Sequence, residues 1–200
     1  MKALLLIDIQ NDFLPNGALA VAHGDEVVPV ANRRMPDFEL VVATQDWHPA
    51  DHGSFASQHP ESRVGETIAL NGLEQIVWPD HCVQGTPGAN FAAGLNTVGI
   101  QHVIRKGTDK NVDSYSGFFD NARSKATGLE DYLREQDVEE LHLMGLATDF
   151  CVKFTALDAV DLRFRTIIIT NGVRGVDLHE GDCRRAIEEM TAAGITIACN

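Results

Sequence analysis

The sequence predicts an α/β protein: a single-domain open parallel sheet of about six strands with helices on both faces. Three observations predict it. Short unbroken apolar runs recur along the chain, stretches of helical spacing separate the later ones, and 200 residues suit one domain. A parallel strand covered on both faces has no solvent side, so it reads as a continuous apolar run and not as an alternating one.

The elements follow in order. Ala3-Leu4-Leu5-Leu6-Ile7 is the first such run. A helix reading falls around Glu26 to Arg34, and Leu40-Val41-Val42-Ala43-Thr44 is the second run. His102-Val103-Ile104-Arg105 is a third, less apolar one. A helix near Leu129 to Gln136 precedes the fourth, Leu141-His142-Leu143-Met144-Gly145. Phe150, Phe154, Leu157 and Val160 carry helical spacing from about Asp149 to Leu162, before the fifth run, Thr166-Ile167-Ile168-Ile169-Thr170. Ala186, Ile187 and Met190 mark a helix from about Glu180 to Ala193, and Ile195-Thr196-Ile197-Ala198 is the sixth run. Between about 45 and 99 the periodicity lapses, and the segment is rich in histidine. A long irregular stretch inside a compact domain tends to be functional, so it reads as a site-building insertion in a domain that spans 1–200.

Charge excludes one class of partner. Sixteen basic residues against 29 acidic ones give −13, a field that repels phosphate backbones and anionic membrane surfaces. Basic residues cluster no further than pairs such as Arg33-Arg34 and Arg184-Arg185, so no nucleic acid and no membrane is expected, and a small-molecule ligand fits better. The apolar start is too short for a signal peptide and is broken by Asp8, and no run is long enough to span a bilayer. Cys82, Cys151, Cys183 and Cys199 form no C-x-x-C pair and no disulfide framework. A cytoplasmic location is the expectation.

Open parallel sheets bind ligands at the carboxyl ends of their strands. Asp8 stands there after the first run, Asp46 with His48 after the second, and Lys106 after the third. The fourth leads into Gly145-Leu146-Ala147-Thr148-Asp149-Phe150-Cys151. Cys151 reads as a nucleophile in the first turn of a helix capped by Thr148 or Asp149, where the helix end and Lys106 would favour a thiolate and Asp8 would take its proton. A buried packing cysteine is the equal alternative. Asp8 has a capping or Arg-pairing alternative, and Lys106 taken alone reads as a solvated strand end. Asp46 and His48, two apart in extended chain, point the same way. With His52 and His81 they offer one carboxylate and two or three imidazoles, a set that suits zinc, iron or manganese. The other reading is surface histidines and a capping carboxylate. His23, His59, His102, His142 and His179 read as structural or solvated. Cys82, Cys183 and Cys199 read as packing, with Cys82 an accidental ligand at most.

These residues fall in six ordered motifs. They are Leu6-Ile7-Asp8-Ile9-Gln10-Asn11-Asp12-Phe13, Thr44-Gln45-Asp46-Trp47-His48-Pro49, Trp78-Pro79-Asp80-His81-Cys82-Val83-Gln84-Gly85-Thr86, Arg105-Lys106-Gly107, Tyr115-Ser116-Gly117-Phe118 and Gly145-Leu146-Ala147-Thr148-Asp149-Phe150-Cys151-Val152. Through them the chain resembles, nearly end to end, the nicotinamidases of the isochorismatase-like cysteine hydrolases. The resemblance implies a triad of Asp8, Lys106 and Cys151, and one divalent metal ion, zinc first, on Asp46, His48 and His81 with His52 a possible further contact. It implies an aromatic pocket of Phe13, Trp78 and Tyr115, and a cis Leu146–Ala147 peptide with the Ala147 and Cys151 amides as oxyanion hole. The implied reaction is hydrolysis of nicotinamide, and of analogues such as pyrazinamide, through a cysteine thioester, in NAD salvage. Sibling cysteine amidohydrolases of the N-carbamoyl amidase or ureidoacrylate type share the triad but generally lack the metal. The isochorismatase proper, a metal-water hydrolase with Cys151 as packing, and a non-catalytic binding module on the same fold complete the alternatives. Homo-oligomerisation stays open, because a core-facing and an interface-facing helix stripe look alike.

Overall fold

The structure is a computed structural model that describes residues 1–198; Cys199, expected to pack, lies outside the described residues. The elements are β1 (Lys2–Ile7), α1 (Val27–Arg34), β2 (Leu40–Asp46), β3 (Thr67–Leu70), β4 (Leu73–Ile76), β5 (His102–Lys106), α2 (Leu129–Glu135), β6 (Glu140–Leu146), α3 (Lys153–Asp161), β7 (Arg165–Arg174), α4 (Asp182–Ala192) and β8 (Thr196–Ala198).

Six strands form one parallel sheet in the order β5-β2-β1-β6-β7-β8, flanked by the helices. The chain winds outward from β1 to β5, then returns to the other side of β1 as β6. The switch point therefore lies between β1 and β6, where an open α/β sheet leaves a crevice at its carboxyl edge. The apolar runs are buried as their pattern predicts: Ala3 to Ile7 are all 0–1% exposed, and β2 is buried throughout. At roughly 25 cal/mol per Å² of apolar surface removed from water, this central layer dominates the stability of the sheet.

Two local expectations need correction. The irregular segment holds an antiparallel hairpin, β3–β4. Its two-residue turn is Asn71-Gly72, with φ of 50° and 83°. That left-handed pair is the geometry for which Asn-Gly is selected, so the signal was present in the sequence. The helix expected from Asp149 is also different. Residues Thr148–Val152 form one π turn, α3 follows, and neither Thr148 nor Asp149 caps it by a side-chain bond. Asp149 instead accepts the Val176 and Asp177 amides at 2.9 and 2.7 Å.

Candidate active site at the sheet switch point

Register places the first charged groups. Asp46 and Lys106 are partners across β2 and β5, so their side chains stand together on one face. Lys106 is 2% exposed, and its Nζ lies 2.5 Å from Asp46 Oδ1 and 2.9 Å from Asp8 Oδ2. It also donates to the Ser114 carbonyl at 2.9 Å and reaches Cys151 Sγ at 3.4 Å. Asp8 follows β1 in left-handed backbone (φ 46°), an uncommon conformation for a residue with a side chain, and such outliers cluster at functional sites. Thr44 receives the Asp8 amide at 3.2 Å and donates its hydroxyl to Asp8 Oδ1 at 2.6 Å. Asp8, Asp46 and Cys151 each offer an atom within 4.8 Å of the others. Acid, lysine and cysteine thus meet from three strand ends.

Burial dictates their protonation. It raises the Asp8 carboxyl above its ordinary range, against the pull of Lys106. It would depress Lys106, but Asp46 and Asp8 overcome it and hold the ammonium charged. It would raise Asp46 too, yet Lys106 and then His48 keep that carboxylate ionised. It pushes the Cys151 thiol well up, and the nearby ammonium does not reverse this. Burial is the larger effect, though Lys106 does, as expected, pull the thiol toward acidity. Transfer of its proton to Asp8 leaves the net charge of the buried cluster unchanged, so the step moves charge within the pocket without adding any.

The second cluster adjoins the first. Asp46, His48 and His81 offer ligand atoms within 4.8 Å of one another. His48 Nδ1 donates to the Gly107 carbonyl at 2.8 Å and His81 Nδ1 to the Pro79 carbonyl at 2.7 Å. Carbonyls only accept, so both rings carry their proton on Nδ1 and turn an Nε2 lone pair inward. His48 Nε2 then faces Asp46 Oδ2 at 3.7 Å. Two acceptors that close require a cation between them, a proton or a metal ion, and the donor set suits a divalent metal. A Cβ on Gly107 would come within 2.3 Å of His48 Cε1, so this approach needs glycine there. His81 is lowered to about 4 by burial and is neutral at ordinary pH, as a ligand must be. The possible further contact, His52, is gathered instead with His48 and Asp113, and its Nδ1 is occupied by Ser54. Its Nε2 is buried without a hydrogen-bond partner among the described residues.

A small cavity beside Cys151 is lined by Phe13, Trp78 and Tyr115, with Asp46, His81 and Ala147. All three expected aromatic residues therefore face one space. Leu19, Asp113, Phe150 and Val176 line it as well and were not foreseen. Phe150, immediately before the cysteine, was the one within reach of sequence reasoning. The Leu146–Ala147 peptide is cis. The remaining histidines are structural or solvated as read: His102 stacks on Tyr132 at 3.9 Å, His142 contacts Glu140, His59 contacts the Gly53 carbonyl, and His23 sits exposed beside Glu26. Cys82 and Cys183 are free, the first buried and the second half-buried.

The isochorismatase domain model matches residues 2–199. The chain is 51% identical to the nicotinamidase of Escherichia coli K12 over 201 residues, covering 98% of this chain and 93% of that one. A nicotinamidase/pyrazinamidase structure from Acinetobacter baumannii superposes with a TM-score of 0.95 at 43% identity, over 98% of this chain and 94% of that one. A pyrazinamidase of Pyrococcus horikoshii, solved in complex with zinc, superposes with a TM-score of 0.80 at 36% identity, over 100% of this chain and 99% of that one.

Proposed function

The chain belongs to the isochorismatase domain family, and from that premise we propose that it is a nicotinamidase, hydrolysing nicotinamide to nicotinate and ammonia through a thioester on Cys151. The observation that carries this reading is the meeting of Asp8, Lys106 and Cys151 in one buried cluster beside an aromatic cavity. Asp8 takes the thiol proton, and burial, which raises its pKa, makes it a better base than a solvated carboxylate. Lys106, held charged, stabilises the thiolate as it forms. Sγ adds to the carboxamide carbon while the Ala147 and Cys151 amides hold the oxyanion. The C–N bond then breaks, and Asp8 returns its proton to the departing ammonia. Asp8 next takes a proton from water as the water oxygen attacks the thioester. The C–S bond breaks, the thiol is restored, and nicotinate leaves.

Asp46, His48 and His81 would hold a divalent metal, and zinc is our assignment. Bound there, it would supply a Lewis-acidic contact that orients the pyridine ring nitrogen. Phe13, Trp78 and Tyr115 sandwich the ring and set the amide against Sγ, a positioning effect. Pyrazinamide, flat and of the same size, is accepted by the same space. The reaction serves NAD salvage in a reducing cytoplasm, where a catalytic thiol stays free. No helix among the described residues is long and apolar enough to cross a membrane.

The test is ammonia release from nicotinamide by metal-replete protein, with Cys151→Ala as control. Release by the wild type and none by the variant is expected. A wild type that spares nicotinamide but releases ammonia from carbamoyl or ureido compounds would move the assignment to a sibling amidase.

A further inference from the structure

We propose that Gln75, on strand β4 of the hairpin, is a positioning residue for the aromatic wall of the substrate cavity. This rests on the nicotinamidase reading and deepens it. The hairpin is otherwise half-exposed or exposed, yet Gln75 is 3% exposed. Its Nε2 reaches Tyr115 Oη at 3.1 Å, Asp113 Oδ2 at 3.1 Å and the Ile76 carbonyl at 2.9 Å. A carbonyl only accepts, as does an ionised carboxylate, and this fixes which way the amide faces. Trp78 Nε1, a donor only, reaches the same Tyr115 oxygen at 3.1 Å. The Gln75 amide has two hydrogens for these three acceptors, so one of them is shared, and the phenol oxygen receives the Trp78 N–H together with a shared Gln75 N–H, which ties Tyr115 and Trp78 to each other and to the hairpin. Both rings line the cavity beside Cys151, and Asp113 lines it too. A polar side chain buried under an exposed hairpin is costly unless its bonds are made, and here two of its three partners, Tyr115 and Asp113, line the cavity. Gln75 touches neither Cys151 nor the metal trio, so its loss acts on the seating of the ring and not on bond making.

The experiment is steady-state ammonia release from nicotinamide by metal-replete Gln75→Leu, Gln75→Glu, Tyr115→Phe and the Gln75→Leu/Tyr115→Phe double variant. Gln75→Leu raises KM about tenfold with kcat within about threefold of wild type. Gln75→Glu raises KM further, because its carboxylate faces Asp113 and offers no hydrogen. Because the two act through one bond, the double variant is no worse than about twofold beyond the poorer single one. Calorimetric binding of nicotinamide to Cys151→Ala, with and without Gln75→Leu, moves by the same factor as KM. Should Gln75→Leu not accumulate folded, Tyr115→Phe carries the test, with KM up about fivefold. An unchanged KM, a loss confined to kcat, or a fully additive double variant overturns the proposal while leaving the reaction in place. A wild type that releases no ammonia overturns the nicotinamidase reading, and this one with it.

Discussion

Asp8 and Lys106 leave the ends of strands that neighbours fix residue by residue, whereas His48, Trp78 and His81 sit on loop backbone held by isolated bridges and side-chain contacts. At the strand ends the ladder supplies the geometry: Asp46 opposes Lys106 in register, and β1 is paired on both sides. In the 45–99 segment the geometry comes from contacts such as His48 to the Gly107 carbonyl, Gln84 to the Trp47 carbonyl and Gln75 to Tyr115. The first region holds Asp8 and Lys106, with Asp46 in register beside them. The second holds His48, His81 and Trp78, which line the cavity or belong to the candidate metal trio. A ladder gives the small tolerances that proton transfer and attack require, while loops can adapt to the shape of a ligand.

The contrast can be broken by variants that fail to respect it. Cys151→Ala should lower kcat by more than about a thousandfold while metal content, read by atomic absorption, stays at wild-type level. Loss of metal in that variant would mean that the two regions are not separable. Lys106→Met leaves Asp8 and Asp46 without their shared cation. Removing one partner of a buried charge cluster costs about 3–5 kcal/mol, so a melting temperature lower by roughly 10 °C is expected along with lost turnover. An unshifted transition would show that the two carboxylates do not depend on Lys106. His48→Ala should strip the metal and raise KM roughly ten- to a hundredfold, with a smaller change in kcat. Metal loss with unaltered KM would remove the metal from substrate binding. Gly72→Ala meets the left-handed turn of the hairpin, which disfavours a Cβ, at a cost of about 1 kcal/mol. A melting temperature lower by about 2–4 °C with kcat intact is the expected reading, and a fall in kcat would tie the hairpin to bond making after all.

The legible part of the molecule was the ladder. Apolar runs marked every strand of the main sheet, and the carboxyl-edge rule gathered Asp8, Lys106 and Cys151 from positions far apart in sequence. Asp46, His48 and His81 were read as candidate ligands from spacing at the carboxyl edge and in the irregular segment, whereas the aromatic wall was legible only through motifs. What stayed hidden depends on contacts that no local pattern encodes. Thr44 reaches Asp8 across 36 residues and Gln75 reaches Tyr115 across 40. Asp113 bordering the cavity belongs to the same class. The hairpin was a different failure, since Asn71-Gly72 announced it within a segment read as irregular. The pull of Lys106 on Cys151 was visible in the sequence, while the depth of burial that raises the thiol is not.

The pairing of β1 with β6 has a consequence for how the enzyme comes into being. Lys2 lies opposite Glu140, a strand partner made 138 residues later. A chain emerging from the ribosome carries Asp8, Lys106 and the cluster of Asp46, His48 and His81 before it carries Cys151. Half of the sheet, β5-β2-β1, can assemble around those groups during synthesis, but the bond-forming atom arrives only when β6 closes the switch point. The last third of the chain thus arms a site that the first two thirds have laid out.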